Sequence, residues 1–180
     1  DLADYPWDAV APFRERAAAH PDGIVDLAIG SPVDPTPEII RRALSEATDA
    51  HSYPQTVGTP ALREAIVDWY ARRRGVPDLR VDNVMPTIGS KELVALLPTL
   101  LGLGEGDIVV QPRVAYPTYA VGAQVVGATV VSEDDPALWP EGARLIWINT
   151  PGNPDGRTWT VEELTEAVRR ARELGAVLAS

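Results

Sequence analysis

Four short and almost wholly apolar runs recur in the second half of the chain: DIVVQ at 107–111, ATVVS at 128–132, LIWIN at 145–149 and AVLAS at 176–180. A fifth, VMPTI at 84–88, precedes them, and helix-length stretches separate the five. Strands that lack polar alternation need cover on both faces. Helices lying between such strands supply that cover, which argues for a mainly parallel sheet. The reading is therefore α/β, a three-layer sandwich, and an incomplete one. An α/β domain rarely finishes on an uncovered apolar strand, because the open ladder invites aggregation. Further sequence after Ser180 is expected, and the chain begins at Asp1 without an initiator Met.

The intervening segments carry helix signals. Asp8 to His20 has apolar residues at helical spacing, with Pro12 confining the regular part to the residues after it. VDLAI at 25–29 reads as a strand ended by the turn at Gly30, and Pro37 to Asp49 reads as an amphipathic helix. Thr59 can cap a helix that has Pro60 at its first position and stops at Gly75. Further helices are expected from Gly89, from Pro117, and from Thr160, where Thr160 and Glu163 form a capping box and Gly175 closes the helix.

Composition narrows the chemistry. The chain has no cysteine and two histidines, which excludes disulfides, thiolate nucleophiles and Cys-based zinc sites and leaves no metal site to predict. A formal net charge of −10 without a basic block opposes nucleic acid and anionic membranes, so a small-molecule partner is expected. The apolar stretch Leu93 to Leu103 is interrupted by Pro98 and falls short of the roughly 20 residues a membrane span requires. No secretory signal is visible, and the expected location is cytoplasmic.

Four segments could carry chemistry. In IGSKEL, residues Gly89, Ser90 and Lys91 stand at a helix N-terminus, where free N–H groups and the helix dipole favour an anion such as a phosphate; plain capping would also explain them. NTPGNPDG, Asn149 to Gly156, follows a buried-type strand at the end where α/β proteins hold ligands, although a turn cluster would look similar. Tyr53 lies in a Pro/Gly-rich loop suited to presenting one hydroxyl. Tyr116 and Tyr119, in AYPTY, could stack on a planar ring or simply pack.

Taken in order, Gly30 after a strand, YPQTVGTPALREAI, IGSKEL, AYPTY followed by Gly127, and NTPGNPDG resemble the class I/II aminotransferases of fold type I. The likeness runs through essentially the whole chain, with Asp155 standing where the family's Asn-Pro-Thr-Gly has Thr. The segments YPWD, DGIVDLAIGSPVDP and PTIGSKELVALLPTLLGLG are most similar to actinobacterial succinyldiaminopimelate aminotransferases of lysine biosynthesis.

This resemblance implies the large domain of the pyridoxal 5'-phosphate (PLP)-dependent transferase fold. Residues 1–45 would form an N-terminal arm and part of the small domain, and 46–180 the first half of the PLP-binding domain. Gly89, Ser90 and Lys91 would hold the cofactor phosphate. Tyr116 would stack on the pyridine ring, Asn153 would hydrogen-bond its phenolic oxygen, and Gly30 would lie near the substrate carboxylate. Tyr53 would reach the cofactor of the neighbouring subunit in a homodimer.

The implied reaction is amino transfer from glutamate to a keto acid, N-succinyl-2-amino-6-ketopimelate if the subfamily holds. The Schiff-base lysine, the acid facing the pyridine nitrogen and the carboxylate-binding arginine would all lie beyond Ser180. Lys91, the only lysine in the chain, is a rival for the first role, disfavoured because the family's lysine lies in a downstream segment. Other class I/II enzymes, such as carbon-sulfur lyases, share this half, and a non-catalytic truncated or regulatory protein could keep the fold.

Overall fold

The computed structural model describes residues 8–27 and 30–180. They divide into two compact units, one made of residues 8–15 and 88–180, the other of residues 16–27 and 30–87.

The first unit contains the sheet. Strands β1 (Ile108–Gln111), β2 (Thr129–Ser132), β3 (Ala143–Trp147) and β4 (Val177–Ala179) lie in the order β2-β1-β3-β4. All three pairings are parallel, with Val109 opposite Val130 and Leu145, and Ile146 opposite Val110 and Leu178. Successive side chains of a strand point to opposite faces, so each apolar strand serves two cores. Val109 and Leu145 join Leu103, Tyr119, Ala123 and Trp147 on one face, against the helices Ser90–Leu100 and Thr118–Val125. Val110 and Ile146 join Trp139, Ile148, Ala167 and Ala171 on the other, under the helix Val161–Leu174. The three expected layers are therefore present. LIWIN enters the sheet two residues early, as Ala143–Trp147, and Ile148 extends the ladder by donating its N–H to Ala179 O at 2.9 Å.

Helices are labelled in chain order: α1 (Ala11–Ala18), α2 (Glu38–Glu46), α3 (Pro60–Arg74), α4 (Ser90–Leu100), α5 (Thr118–Val125) and α6 (Val161–Leu174). A 3-10 turn, Asp8–Val10, precedes α1, which starts at Ala11, one residue before Pro12. In the second unit, Thr59 caps α3 by accepting the Leu62 N–H at 3.3 Å, and Gly75 ends it in the left-handed region at φ 66°. The guanidinium of Arg63 on α3 ties down the next segment, donating to Val81 O at 2.6 Å and Val84 O at 3.1 Å.

Two expected strands differ. VMPTI lies just after a 3-10 turn, Val81–Asn83, and is irregular. No described strand offers it a ladder, and Pro86 has no N–H to donate. Its ring instead fills the space beside Gly58, where a Cβ would meet Pro86 Cγ at 2.5 Å. In VDLAI, residues 25–27 form no strand and Val25 and Leu27 are exposed, while Ala28 and Ile29 lie outside the described residues. Among the described residues no helix is long and apolar enough to cross a membrane.

Candidate functional site

The carboxyl ends of adjacent parallel strands are where an α/β sheet leaves a crevice for ligands. β1 and β3 are neighbours; beyond β1 comes the segment with Tyr116, and beyond β3 the loop Asn149–Gly156.

Tyr116 is half-buried and its orientation is braced. Its ring meets that of Tyr119 edge-on, with centroids 6.0 Å apart, and Tyr119 in turn stacks on Trp147 of β3 at 4.7 Å and 22°. Burial, with a smaller contribution from Tyr116, pushes the Tyr119 hydroxyl above its ordinary pKa, so Tyr119 is a neutral support rather than an acid-base group. The indole N–H of Trp147 and the hydroxyl of Thr118 are buried without a partner among the described residues.

The NTPGNPDG loop is held mainly from within. Asn149 Oδ1 accepts the N–H of Asn153 at 2.8 Å, Gly152 donates to Arg157 O at 2.7 Å, and Gly156 donates to Gly152 O at 2.8 Å. Asp155, in the place of the family's Thr, accepts the Arg157 N–H at 3.1 Å; a Cβ on Gly152 would overlap its Oδ1. The Thr150–Pro151 and Asn153–Pro154 peptides are cis. Thr150 Oγ1 accepts the Trp159 N–H at 2.9 Å, which fastens the loop to the start of α6. The backbone of Asn153 is thus fixed, while its carboxamide is exposed and makes no hydrogen bond among the described residues.

At α4, Gly89 occupies the N-cap position at φ 78°, a conformation that favours glycine. Among the described residues no side chain caps this helix, in contrast to α3 and α6, whose caps are Thr59 and Thr160. A Cβ built on Gly89 meets nothing within 4 Å. The first-turn N–H groups are therefore open to an external acceptor, with the hydroxyl of Ser90 and the ammonium of Lys91 beside them and both residues exposed.

These residues fit the implied cofactor: N–H, hydroxyl and ammonium donors for a phosphate dianion, an aromatic face for a ring, and a carboxamide for a phenolic oxygen. The neighbouring cleft of about 700 Å³ lined by Arg113, Glu133, Asp134, Arg157 and Glu163 fits it less well. Its arginines are already committed, Arg113 to Glu133 at 2.8 Å and Arg157 to Glu163 at 2.9 Å. Glu133 is held below its ordinary pKa, first by the Asp135 N–H and then by Arg113, so the cleft repels anions. Asp134 accepts the Arg113 N–H and Asp135 caps a 3-10 turn.

Tyr53 and Gly30 belong to the other unit, where both are exposed, Tyr53 at 99%. Asn149 is the partner that sequence reasoning did not single out; its signal is the four-residue spacing to Asn153 across a Pro-Gly turn.

The chain matches the family described as aminotransferase class I and II over residues 22–180. It is 51% identical, over 99% of its length and 50% of the relative's, to the 4-dedimethylamino-4-oxo-anhydrotetracycline transaminase OxyQ of Streptomyces rimosus. A probable aminotransferase of Mycobacterium tuberculosis is 48% identical over 99% of this chain and 43% of its own length. Among solved structures, aminotransferase AspB of Helicobacter pylori superposes with a TM-score of 0.86 at 25% identity, over 99% of this chain and 50% of that one. The N-succinyldiaminopimelate aminotransferase of Mycobacterium tuberculosis does so with a TM-score of 0.81 at 25% identity, over 98% and 49%. The chain spans about half the length of the relatives it matches. With its parallel sheet, open helix end and ordered motifs, it belongs to the class I and II aminotransferases, a PLP-dependent family.

Proposed function

We propose that these residues hold the cofactor in an aminotransferase that moves an amino group from glutamate to a keto acid. The observation that carries the proposal is the uncapped start of α4, open to an anion in the same unit that presents Tyr116 and Asn153 at adjacent strand ends. Bound PLP supplies an electron sink for the carbanion formed at the amino-acid α-carbon. Around it, the N–H groups of Gly89, Ser90 and Lys91, with the Ser90 hydroxyl and Lys91 ammonium, bind the phosphate. Tyr116 covers one face of the ring and keeps water from it. The Asn153 carboxamide N–H donates to the phenolic oxygen, and Asn149 keeps the Asn153 backbone in place.

Lys91 is a phosphate ligand in this reading and not the Schiff-base residue, which in the family lies in a downstream segment. In this reading residues 1–45 are the arm and part of the small domain, and 46–180 belong to the cofactor domain. The active enzyme is a homodimer in which the exposed Tyr53 reaches the cofactor of the partner subunit and Gly30 borders the substrate carboxylate.

For the acceptor, N-succinyl-2-amino-6-ketopimelate is favoured by the opening segments of the sequence and by the likeness to the N-succinyldiaminopimelate enzyme. A second acceptor, a ring ketone of the kind named for the 51% identical relative, is favoured by that identity.

Borohydride reduction of the full-length protein, followed by peptide mass mapping, tests the cofactor assignment. One pyridoxyl adduct on a lysine outside residues 1–180 is expected; an adduct on Lys91, or none, overturns it. Glutamate-dependent turnover of the two acceptors then decides between them, and turnover of neither rejects both.

A further inference from the structure

α5 is gripped from two sides. Tyr119, in its first turn, links Tyr116 to Trp147 on β3. One turn further on, Gly122 faces α4 so closely that a Cβ would lie 2.8 Å from Ala95 O, 3.1 Å from Val94 O and 3.2 Å from Ala95 Cα. Those are backbone atoms and cannot rotate away. Pro98, buried inside α4, has no N–H for the carbonyl of Val94 four residues earlier. The hydrogen that stands in place of a Cβ on Gly122 therefore points at one carbonyl left open by Pro98 and at its neighbour, a geometry suited to weak Cα–H···O contacts. α4 and α5 thus rest directly on each other's backbone.

We propose that Gly122 is a positioning residue that sets the separation between the phosphate-holding end of α4 and the ring-holding Tyr116. The inference rests on the cofactor assignment above. PLP has a fixed span from phosphate to ring, so both contacts form at once only if α4 and the start of α5 stand at one spacing. Tyr116 moves with α5, because Pro117 caps that helix and the Tyr119 N–H bonds to Tyr116 O at 3.1 Å. Ordinary contact distances are about 3.5 Å, so a methyl on Gly122 forces the helices apart by roughly half an ångström. Straining one of the two contacts by the worth of about one net hydrogen bond corresponds to up to roughly tenfold in affinity, which is the loss expected here.

The test is Gly122→Ala in the full-length protein, stripped of cofactor and titrated with PLP and, as competitor, with inorganic phosphate. Inorganic phosphate reads the α4 cradle alone, whereas PLP reads cradle and ring support together. The expected result is a PLP dissociation constant raised by up to roughly tenfold, with phosphate competition unchanged. Unchanged PLP affinity in the folded variant overturns the inference. So does an equal loss for both ligands, which would place the damage in the cradle itself. Should Gly122→Ala fail to fold, Val94→Ile on α4, whose side chain packs against the core cluster that holds Tyr119 and Ala123 of α5, adds a methylene between the two helices, and the same split is required of it. Absence of PLP binding by the wild-type protein would reject the cofactor assignment instead.

Discussion

Asn153 is anchored through its backbone and left open at its side chain. That division suits a residue whose carboxamide meets a ligand atom, since the entropic cost of holding its backbone is met by the loop before binding. Under the proposed assignment, replacing it with Ala would remove one hydrogen bond to the cofactor's phenolic oxygen and leave the Asn149 contact, which uses the backbone N–H, intact. The expected loss is about 1 to 3 kcal/mol of PLP affinity, with a shifted cofactor absorption band and an unchanged unfolding midpoint of the cofactor-free protein. Unaltered affinity and spectrum would reject the contact. Tyr116 illustrates what a residue-level reading of sequence reaches and where it stops. Its place after an apolar strand marks it as a candidate ring support. The Tyr119–Trp147 stack that orients it joins residues far apart in sequence, beyond any local pattern.

At the scale of elements, helix ends were the most legible features, because a cap is a contract among residues three or four positions apart. Thr59, Pro60 and Gly75 bound α3, and Thr160, Glu163 and Gly175 bound α6, where the sequence places them. VMPTI shows the converse: its apolar run resembles a strand, yet a strand exists only beside a neighbour, and none of the described strands pairs with it. The α6 cap carries a testable consequence. Thr160 Oγ1 accepts the Glu163 N–H at 3.2 Å, while Glu163 accepts the Thr160 N–H at 2.7 Å and pairs with Arg157. Thr160→Ala is expected to cost about 1 kcal/mol in denaturant unfolding. The Thr160 N–H, then Arg157, hold the Glu163 carboxyl below its ordinary pKa. A depressed carboxyl stabilises the fold above its unfolded pKa of about 4.3, and that stabilisation is lost as pH falls through the lower folded value. Glu163→Gln should therefore flatten the acid limb of the stability profile below about pH 4.3 and leave its shape near neutrality unchanged. An identical acid limb in wild type and variant would show that the ion pair does not contribute.

At the scale of the whole molecule, family membership was legible because several modest motifs occur in one order along most of the chain, and the parallel sheet explains that order. Within the unit that holds the sheet, AYPTY follows β1, NTPGNPDG follows β3 and IGSKEL opens α4, so there chain order becomes convergence at the edge where ligands bind. The same convergence predicts how ligands act on stability. A ligand that binds only the folded state stabilises it by about 2.7 kcal/mol at a concentration 100 times its dissociation constant. In the proposed site PLP would bridge α4, Tyr116 and Asn153, which different segments carry, and so it should raise the unfolding temperature of the cofactor-free full-length protein progressively with concentration. Pyridoxal, which lacks the phosphate, should raise it far less, because the proposed cradle at Gly89, Ser90 and Lys91 then has no anion to receive. Scanning calorimetry of the cofactor-free protein with each compound makes the comparison. Equal shifts from the two would mean that the uncapped end of α4 contributes nothing to binding, and the phosphate would have to be sought elsewhere in the enzyme.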